Sequence, residues 1–229
     1  MRQLTILLAS VFCVFGATAP CSAQSVLWDQ QPDTSIQQII DQDIPDQSIF
    51  STFAVNDVSI SSNVVVDSVT TYFTNGSGAW ASNVNTGILN IFDGDALTAQ
   101  DDPTSGGDFG LGQVQVTVTD LGNNILAVSA TGFLISLDPG TYWFGLSPIS
   151  GSAIPQEFHY SSGSTVGAAS QSRNPGGGFG LGTDWFDSNI LAGGYQDAAL
   201  TVTIVSLPEP TTAGLFVIGM LGLGARRRR

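Results

Sequence analysis

The sequence predicts an all-β fold, a single antiparallel β-sandwich of the jelly-roll kind. Short runs rich in β-branched and aromatic residues recur along most of the 229 residues, and such runs are typical of strands. Glycine, proline, asparagine and aspartate cluster between the runs, where they indicate turns. Residues 113–119 alternate between polar and apolar side chains, which is the pattern of a strand with one buried and one solvated face.

The predicted elements follow the chain in order. Residues 24–46 are mostly polar, and their spaced isoleucines fit either one short helical face or an extension that lies on a sheet. Strands are predicted at residues 49–55, 64–73, 87–92, 113–119, 124–130, 133–137, 141–146, 157–161 and 198–205. Many short strands separated by turns, with no long helical period, favour two packed antiparallel layers.

The first 23 residues have the features of a secretory signal peptide. Met1-Arg2-Gln3 is a short positive start, residues 4–16 form an apolar run, and Cys21-Ser22-Ala23 supplies small residues before a cleavage site. We therefore expect cleavage after residue 23 and export of a domain over residues 24–206. Both cysteines of the chain lie in this leader, so the domain has no thiol and no disulfide and depends on its core for stability.

The expected domain is strongly acidic. It keeps 18 of the 19 acidic residues, whereas Arg173 is its only arginine and the chain has no lysine. Nucleic acids and anionic membrane surfaces bind proteins through Lys and Arg that displace counterions, so this charge excludes them as partners. Salt or bound cations relieve the self-repulsion of such a surface. The composition therefore favours divalent cations as partners.

The last stretch, residues 207–229, combines three features. Pro208-Glu209-Pro210 is followed by an uncharged apolar run at residues 211–225, and the chain then ends on Arg226, Arg227, Arg228 and Arg229. As a helix, the apolar run would span roughly 22 Å, which is short of a hydrocarbon core of about 30 Å. Arginines that snorkel to the headgroups extend its reach and keep the C-terminus inside. We expect a short transmembrane helix that stops in the inner membrane.

This order of features resembles a PEP-CTERM sorting signal. The resemblance implies export in a Gram-negative bacterium and recognition of Pro208, Glu209 and Pro210 by an exosortase. It also implies removal of the tail and transfer of the domain to the cell surface or extracellular matrix, with the protein anchored in the membrane before processing. An ordinary C-terminal anchor is the alternative, although it needs neither the tripeptide nor so short a span.

Five aspartates are crowded into one predicted loop and form a candidate structural Ca²⁺ site. They are Asp93, Asp95, Asp101, Asp102 and Asp108. Ca²⁺ takes about six to eight oxygen ligands from carboxylates and carbonyls of flexible loops, and the crowded charges would otherwise repel one another. The spacing does not match the EF-hand pattern, and a solvated acidic loop is the alternative.

Trp185 is the candidate for a glycan-stacking platform, because it lies in a loop after a glycine run and is flanked by acidic residues. Packing into the core is the alternative, since an aromatic side chain buries about 150 to 250 Å². Strand alternation gives a second expectation. Either Trp143 or its neighbours Tyr142 and Phe144 should face outward.

The sequence lacks a complete catalytic system. His159 is the only histidine, Glu157 is predicted to share its strand face, and no Gly-x-Ser-x-Gly elbow is present. Paired aspartates can hydrolyse glycosides, but in a chain this rich in aspartate such pairs arise by chance. We therefore expect a structural or adhesive protein rather than an enzyme, associated with extracellular polysaccharide through cation bridging. A carbohydrate-binding module with exposed aromatics is the first alternative, and a secreted hydrolase is the second.

Overall fold

The computed structural model describes residues 24–36 and 38–205. These residues form an all-β fold of two antiparallel sheets with little helix, as the sequence predicts. The predicted signal peptide at residues 1–23 lies outside the described residues. The sorting signal with its transmembrane helix at residues 207–229 also lies outside them.

The strands are numbered in chain order. They are β1 (Gln24–Gln30), β2 (Gln38–Ile39), β3 (Phe53–Ile60), β4 (Val64–Thr74), β5 (Thr86–Asp93), β6 (Gly112–Gln115), β7 (Thr117–Gly122), β8 (Ile125–Leu137), β9 (Gly140–Pro148), β10 (His159–Tyr160), β11 (Gln171–Arg173), β12 (Phe186–Asp187) and β13 (Leu200–Val205). The helical elements in the same part of the chain are short. They are the helix α1 (Ala79–Asn83) and 3₁₀ turns at Pro45–Phe50 and Ser188–Ile190.

The strands divide between two sheets that share a core. The first sheet has the order β1-β13-β4-β10-β2, and β8 joins β4 to β7. The second has the order β12-β11-β3-β9-β5-β6. Buried apolar side chains from both sheets meet in one cluster, including Val69 and Phe73 of β4, Leu89 of β5 and Phe144 of β9. The facing apolar sides of the two sheets therefore form the main core, and burial of this surface is the principal source of stability.

The structure differs from the predicted strands in two places. The predicted strand at residues 113–119 is two strands, since β6 pairs with β5 in the second sheet and β7 pairs with β8 in the first. The chain changes sheets at Val116, whose N–H donates to the Asn85 carbonyl at 3.0 Å. In the opposite sense, the two strands predicted at residues 124–130 and 133–137 form the single strand β8, which is interrupted by a bulge.

The N-terminal segment is an extension on the sheets, and the helical alternative is wrong. β1 pairs with β13, and β2 pairs with β10. Beyond β2, Gln42 forms a bridge with Thr52 at the start of β3, and Asp43 forms a bridge with Ile149 just after β9. Residues 41–43 therefore fill the space between β3 and β9 where these neighbouring strands separate, and their buried backbone groups remain paired.

The glycine-rich segment at residues 106–112 packs its backbone directly on β5. Gly107 forms a parallel bridge with Ile91, and the N–H of Asp108 donates to the Ile91 carbonyl at 2.9 Å. Gly107 has a φ of 70°, and a Cβ atom there would overlap the Ile91 backbone. Both the left-handed conformation and the close approach require glycine at this position.

Replacement of Gly107 by alanine should therefore destabilise the fold far more than a comparable replacement nearby. We expect Gly107→Ala to lower the free energy of unfolding by at least about 2 kcal/mol, because strain and overlap add. Gly110→Ala is the matched control, since Gly110 has a φ of 62° with no heavy atom within 4 Å of an added Cβ. It should cost only the backbone strain of about 1 kcal/mol. Urea denaturation of residues 24–207 measures both values, and equal losses would contradict the packing argument.

Candidate functional site

The acidic side chains lie mainly on the surface. Ten are exposed, and they are Asp29, Asp46, Asp93, Asp95, Asp102, Asp108, Asp120, Asp138, Asp184 and Asp187. Within residues 24–36 and 38–205 the one ion pair joins His159 to Asp41, so none of the ten has a basic partner in that part of the chain. The described surface is therefore a field of uncompensated negative charge.

Hydrogen bonds keep two surface carboxyl groups ionised. Bonds from the Ser35 hydroxyl and then from the Ser35 N–H lower the pKa of Asp33. The hydroxyl and then the N–H of Ser152 lower the pKa of Asp46 in the same way. Because hydrogen bonds to the charged form favour that form, these two groups stay negative in moderately acidic solution.

Two of the five loop aspartates stabilise turns within their own loop. Asp101 accepts the N–H of Thr98 through Oδ2 at 2.5 Å. Asp102 accepts the N–H and the hydroxyl of Thr104 through Oδ1, at 2.9 and 2.8 Å. These are local side-chain bonds of the kind that aspartate forms in turns. Such bonds account for both residues without a metal ion.

The other three aspartates are spread over the ends of the loop. Asp108 accepts the N–H of Asp93 through Oδ2 at 2.8 Å and so links the two ends, while Asp95 is exposed between them. Among the described residues, no group of three or more His, Cys, Asp or Glu side chains could hold a metal ion. The structure thus connects Asp93 with Asp108 but does not bring the five carboxylates together. Calcium binding by this loop stays a prediction.

Trp185 packs between the acidic loop and the second sheet. Its Nε1–H donates to the Asp101 carbonyl at 2.9 Å, and its ring meets Phe92 edge-on with centroids 5.6 Å apart. Arg173 binds the same carbonyl through Nη1 at 2.6 Å and the Thr183 carbonyl through Nε at 2.8 Å. Trp185 is half-buried. Glycan stacking on Trp185 stays a prediction, and the contacts seen are those of a packing residue.

The expectation that one side of β9 faces outward is wrong. Trp143 is 3% exposed, and its neighbours Tyr142 and Phe144 are also buried. Tyr142 and Phe144 belong to the main core, whereas Trp143 packs on the other side of the sheet against a cluster that includes Leu97 and Trp185. Loops cover the outer side of the second sheet, which strand alternation alone does not reveal.

His159 binds Asp41 rather than sharing a site with Glu157. Its Nδ1 lies 2.7 Å from Asp41 Oδ2, and its Nε2 lies 3.0 Å from the Ala199 carbonyl. Both ring nitrogens therefore have an oxygen partner inside the protein. His159 and Asp41 are 0% exposed, and the ring stacks on Phe73 with centroids 4.9 Å apart. The pair is a buried structural contact with no opening to a substrate.

Glu157 instead anchors the turn that follows β4. Its Oε2 accepts the Thr74 hydroxyl at 2.5 Å and the Gly76 N–H at 2.9 Å. Its Oε1 accepts the N–H and the hydroxyl of Ser77 at 2.9 and 3.1 Å. Four donors surround this buried carboxylate, which repays the loss of its hydration. The predicted His159 and Glu157 combination therefore separates into two structural contacts.

Two further buried carboxyl groups hold the loop between β10 and β11. Both oxygens of Asp57 lie 3.1 Å from the N–H of Ala168. Asp197 accepts the N–H groups of Val166 and Ser170 at 2.7 and 3.3 Å. Burial raises the pKa of Asp57 and, together with the nearby charge of Asp57, that of Asp197. No sequence signal marks these contacts, because each joins residues far apart in the chain.

The comparisons with known proteins bear on the end of the chain. The family model described as the PEP-CTERM protein-sorting motif matches residues 206–229. No curated protein matches the chain. Within the described residues, no helix is both long enough and apolar enough to cross a membrane.

Breaking the buried pair should destabilise the domain strongly. Asp41 also accepts the N–H of Ala54 at 3.0 Å and the hydroxyl of Ser147, so its loss affects both sheets. We expect Asp41→Ala to cost about 3 to 5 kcal/mol, because it leaves the buried Ala54 N–H, the Ser147 hydroxyl and the His159 ring without their common partner.

A double-mutant cycle with His159→Gln tests whether the pair is the cause. Both single variants lose the same contact, so the double variant should cost clearly less than the sum of the two. Urea denaturation supplies the three values. Additive losses would show that Asp41 and His159 act independently.

Asp57→Asn should flatten the pH dependence of stability. Burial raises the pKa of Asp57 above its ordinary value of 3.8, so the folded state keeps the proton to higher pH than the unfolded chain does. Stability from this group is therefore greatest at low pH and is lost as the pH rises through the window above 3.8. An amide has no charge to bury and keeps one oxygen for the Ala168 N–H. At neutral pH we expect a melting temperature at or above that of the wild type.

Asp46→Asn is the control of opposite sign. The Ser152 bonds lower the pKa of Asp46, so its contribution is present at neutral pH and is lost as the pH falls. This variant should melt below the wild type at neutral pH and converge with it in acid. Melting curves from about pH 2 to about pH 7 cover both windows, because the window of Asp57 lies above 3.8 and that of Asp46 lies below it. A lowered melting temperature for Asp57→Asn at neutral pH would contradict the argument from burial.

Proposed function

We propose a structural and adhesive function for this chain, which carries a PEP-CTERM sorting signal and is therefore an exported protein sorted by an exosortase. The domain is a β-sandwich that is anchored by its C-terminal helix before processing and joins the cell surface or extracellular matrix afterwards. There it associates with extracellular polysaccharide through divalent cations that bridge carboxylates of the protein and of the glycan. The role is binding rather than catalysis.

The observation that carries this proposal is the set of ten exposed carboxylates, none of which has a basic partner among the described residues. Carboxylate oxygens are the ligands that Ca²⁺ and Mg²⁺ prefer, and both ions accept ligands from more than one molecule. A surface of negative charge repels an anionic glycan in the absence of such ions. Cations therefore convert repulsion into attachment.

The geometry supports many weak contacts better than one preformed site. Asp101, Asp102 and Asp108 bind hydrogen-bond donors of their own loop. The described carboxylates form no cluster of three. Each carboxylate still has lone pairs for a partly hydrated cation. Attachment then grows with the number of simultaneous contacts rather than with the affinity of one.

Retention of the exported domain on an immobilised acidic glycan, polygalacturonate, tests the proposal. We expect Ca²⁺ to increase retention at least about tenfold, equivalent to about 1.4 kcal/mol, and EDTA to abolish the increase. Neutral dextran is the matched matrix control and should retain nothing in either condition. Retention on polygalacturonate that survives EDTA would overturn cation bridging and favour direct recognition of sugars.

Two matched sets of substitutions locate the binding. One set replaces four loop residues, Asp93, Asp95, Asp102 and Asp108, by asparagine, and the other replaces Asp29, Asp120, Asp138 and Asp187. If the contacts are distributed, both sets should weaken calcium-dependent retention to a similar extent. Loss confined to the first set would place the effect in the predicted calcium loop and contradict a distributed surface.

A further inference from the structure

The last strand, β13, ends three residues before the sorting motif, and its end is held in the first sheet. β13 lies between β1 and β4, and its final residue, Val205, pairs with Gln24 on one side and Val65 on the other. A strand that is hydrogen-bonded on both sides cannot separate from the sheet without loss of both ladders. The end of β13 is therefore anchored to the body of the domain.

The distance from this point to the motif is short. The match to the sorting-motif family begins at residue 206, and Pro208 is the third residue after Val205. Since an extended chain advances at most about 3.6 Å per residue, the motif begins within roughly 11 Å of the strand end. An enzyme that encloses Pro208, Glu209 and Pro210 must then lie against the domain. Contact between the two surfaces is a steric requirement.

The surface around the strand end contains a cleft of about 450 Å³. Its lining comes from the β3–β4 loop, the start of β4, the end of β8 and the end of β13. It comprises Ser62, Asn63, Val64, Val65, Ser136, Leu137, Ile204 and Val205. We call these residues the exit face. Their side chains are apolar, hydroxyl or amide groups without charge. The nearest exposed carboxylate is at its border, where Asp138 accepts the side-chain amide of Asn63 at 2.6 Å.

A strained apolar residue lies beside the exit face. Leu134 is in the bulge of β8, two residues before Ser136, and it is 62% exposed with a φ of 53°. A left-handed conformation costs a leucine roughly 1 kcal/mol or more. Because the bulge exposes this side chain to solvent, burial within the domain does not offset the cost of the strained conformation. Together with the apolar residues that line the cleft, this side chain enlarges the uncharged surface available to a partner.

We propose that the exit face is a docking surface for the exosortase that processes this chain. The motif directly precedes the apolar run that is expected to enter the membrane, and an uncharged face can approach anionic lipid headgroups where an acidic face would be repelled. Apolar contact with the cleft adds affinity next to the scissile region. The substrate is thus recognised by its folded end as well as by its tripeptide.

Processing of the full chain in cells that express the exosortase tests this proposal. The measured quantity is the rate at which the tail is lost, followed by pulse-chase and immunoblot. Ser136→Trp fills the cleft from an exposed position, and Ser62→Trp does so from the β3–β4 loop. Each should slow processing at least about fivefold, the effect of a loss of about 1 kcal/mol. Thr119→Trp, at an exposed position of β7 in the same sheet, is the matched control and should process at the wild-type rate.

A spacer chain tests whether lost contact with the enzyme is the cause of slower processing in the tryptophan variants. Eight Gly-Ser residues inserted between Val205 and Ser206 allow the motif to reach the enzyme without the domain. In the spacer chain, Ser136→Trp and Ser62→Trp should no longer slow processing. Wild-type rates for both tryptophan variants without the spacer would overturn the proposal, and so would slowing that persists with the spacer. Neither result depends on cation binding, so this test is independent of the polysaccharide assay.

Discussion

The structure depends on one buried carboxylate more than on any other polar group. Asp41 binds His159 of the first sheet and, through its other oxygen, the Ala54 N–H and the Ser147 hydroxyl of the second. Three donors around a fully buried charge offset the loss of its hydration, which an isolated ion could not recover. The contact also fixes residues 41–43 in the space between β3 and β9. Asp41 thereby adds polar bonds to both sheets, whose shared surface is mainly apolar.

A second constraint follows from the composition. A chain with 18 acidic residues in its exported part and no lysine cannot neutralise its carboxylates by ion pairs. The described residues solve this problem with backbone N–H and hydroxyl donors, as at Glu157, Asp57 and Asp197. Aspartate thus serves two purposes in the same domain. Buried aspartates hold loops in place, while exposed aspartates are accessible to cations.

The pattern of apolar and β-branched residues predicted strands whose formation depends mainly on their own sequence. The strands at residues 64–73 and 87–92 were recognised because β-branched and apolar side chains line both faces, and they correspond to β4 and β5. The division at Val116 and the long strand β8 were missed because each depends on which neighbour a strand meets. The Asp41–His159 contact spans 118 positions. Periodicity and spacing carry no information at that separation.

The candidate sites show the same contrast. The sorting motif could be predicted because an enzyme reads it as a linear string, so its chemistry is complete in consecutive residues. The loop aspartates and Trp185 were chosen by proximity in sequence, whereas their contacts are set by how the loop folds onto β5 and β9. The exit face could not be predicted, because three strands distant in sequence supply it.

The placement of charge on the surface bears on both proposed steps, processing of the tail and attachment to the matrix. Near the membrane, a domain of this charge is repelled by anionic headgroups, and the repulsion acts most strongly on the surface closest to the tail. The residues that line the exit face carry no charged side chain, which reduces that repulsion at the proposed docking surface. In the proposed function, the acidic remainder of the surface then meets the cations of the matrix. The two proposed functions, processing and attachment, therefore require surfaces of opposite character, an uncharged one and an acidic one.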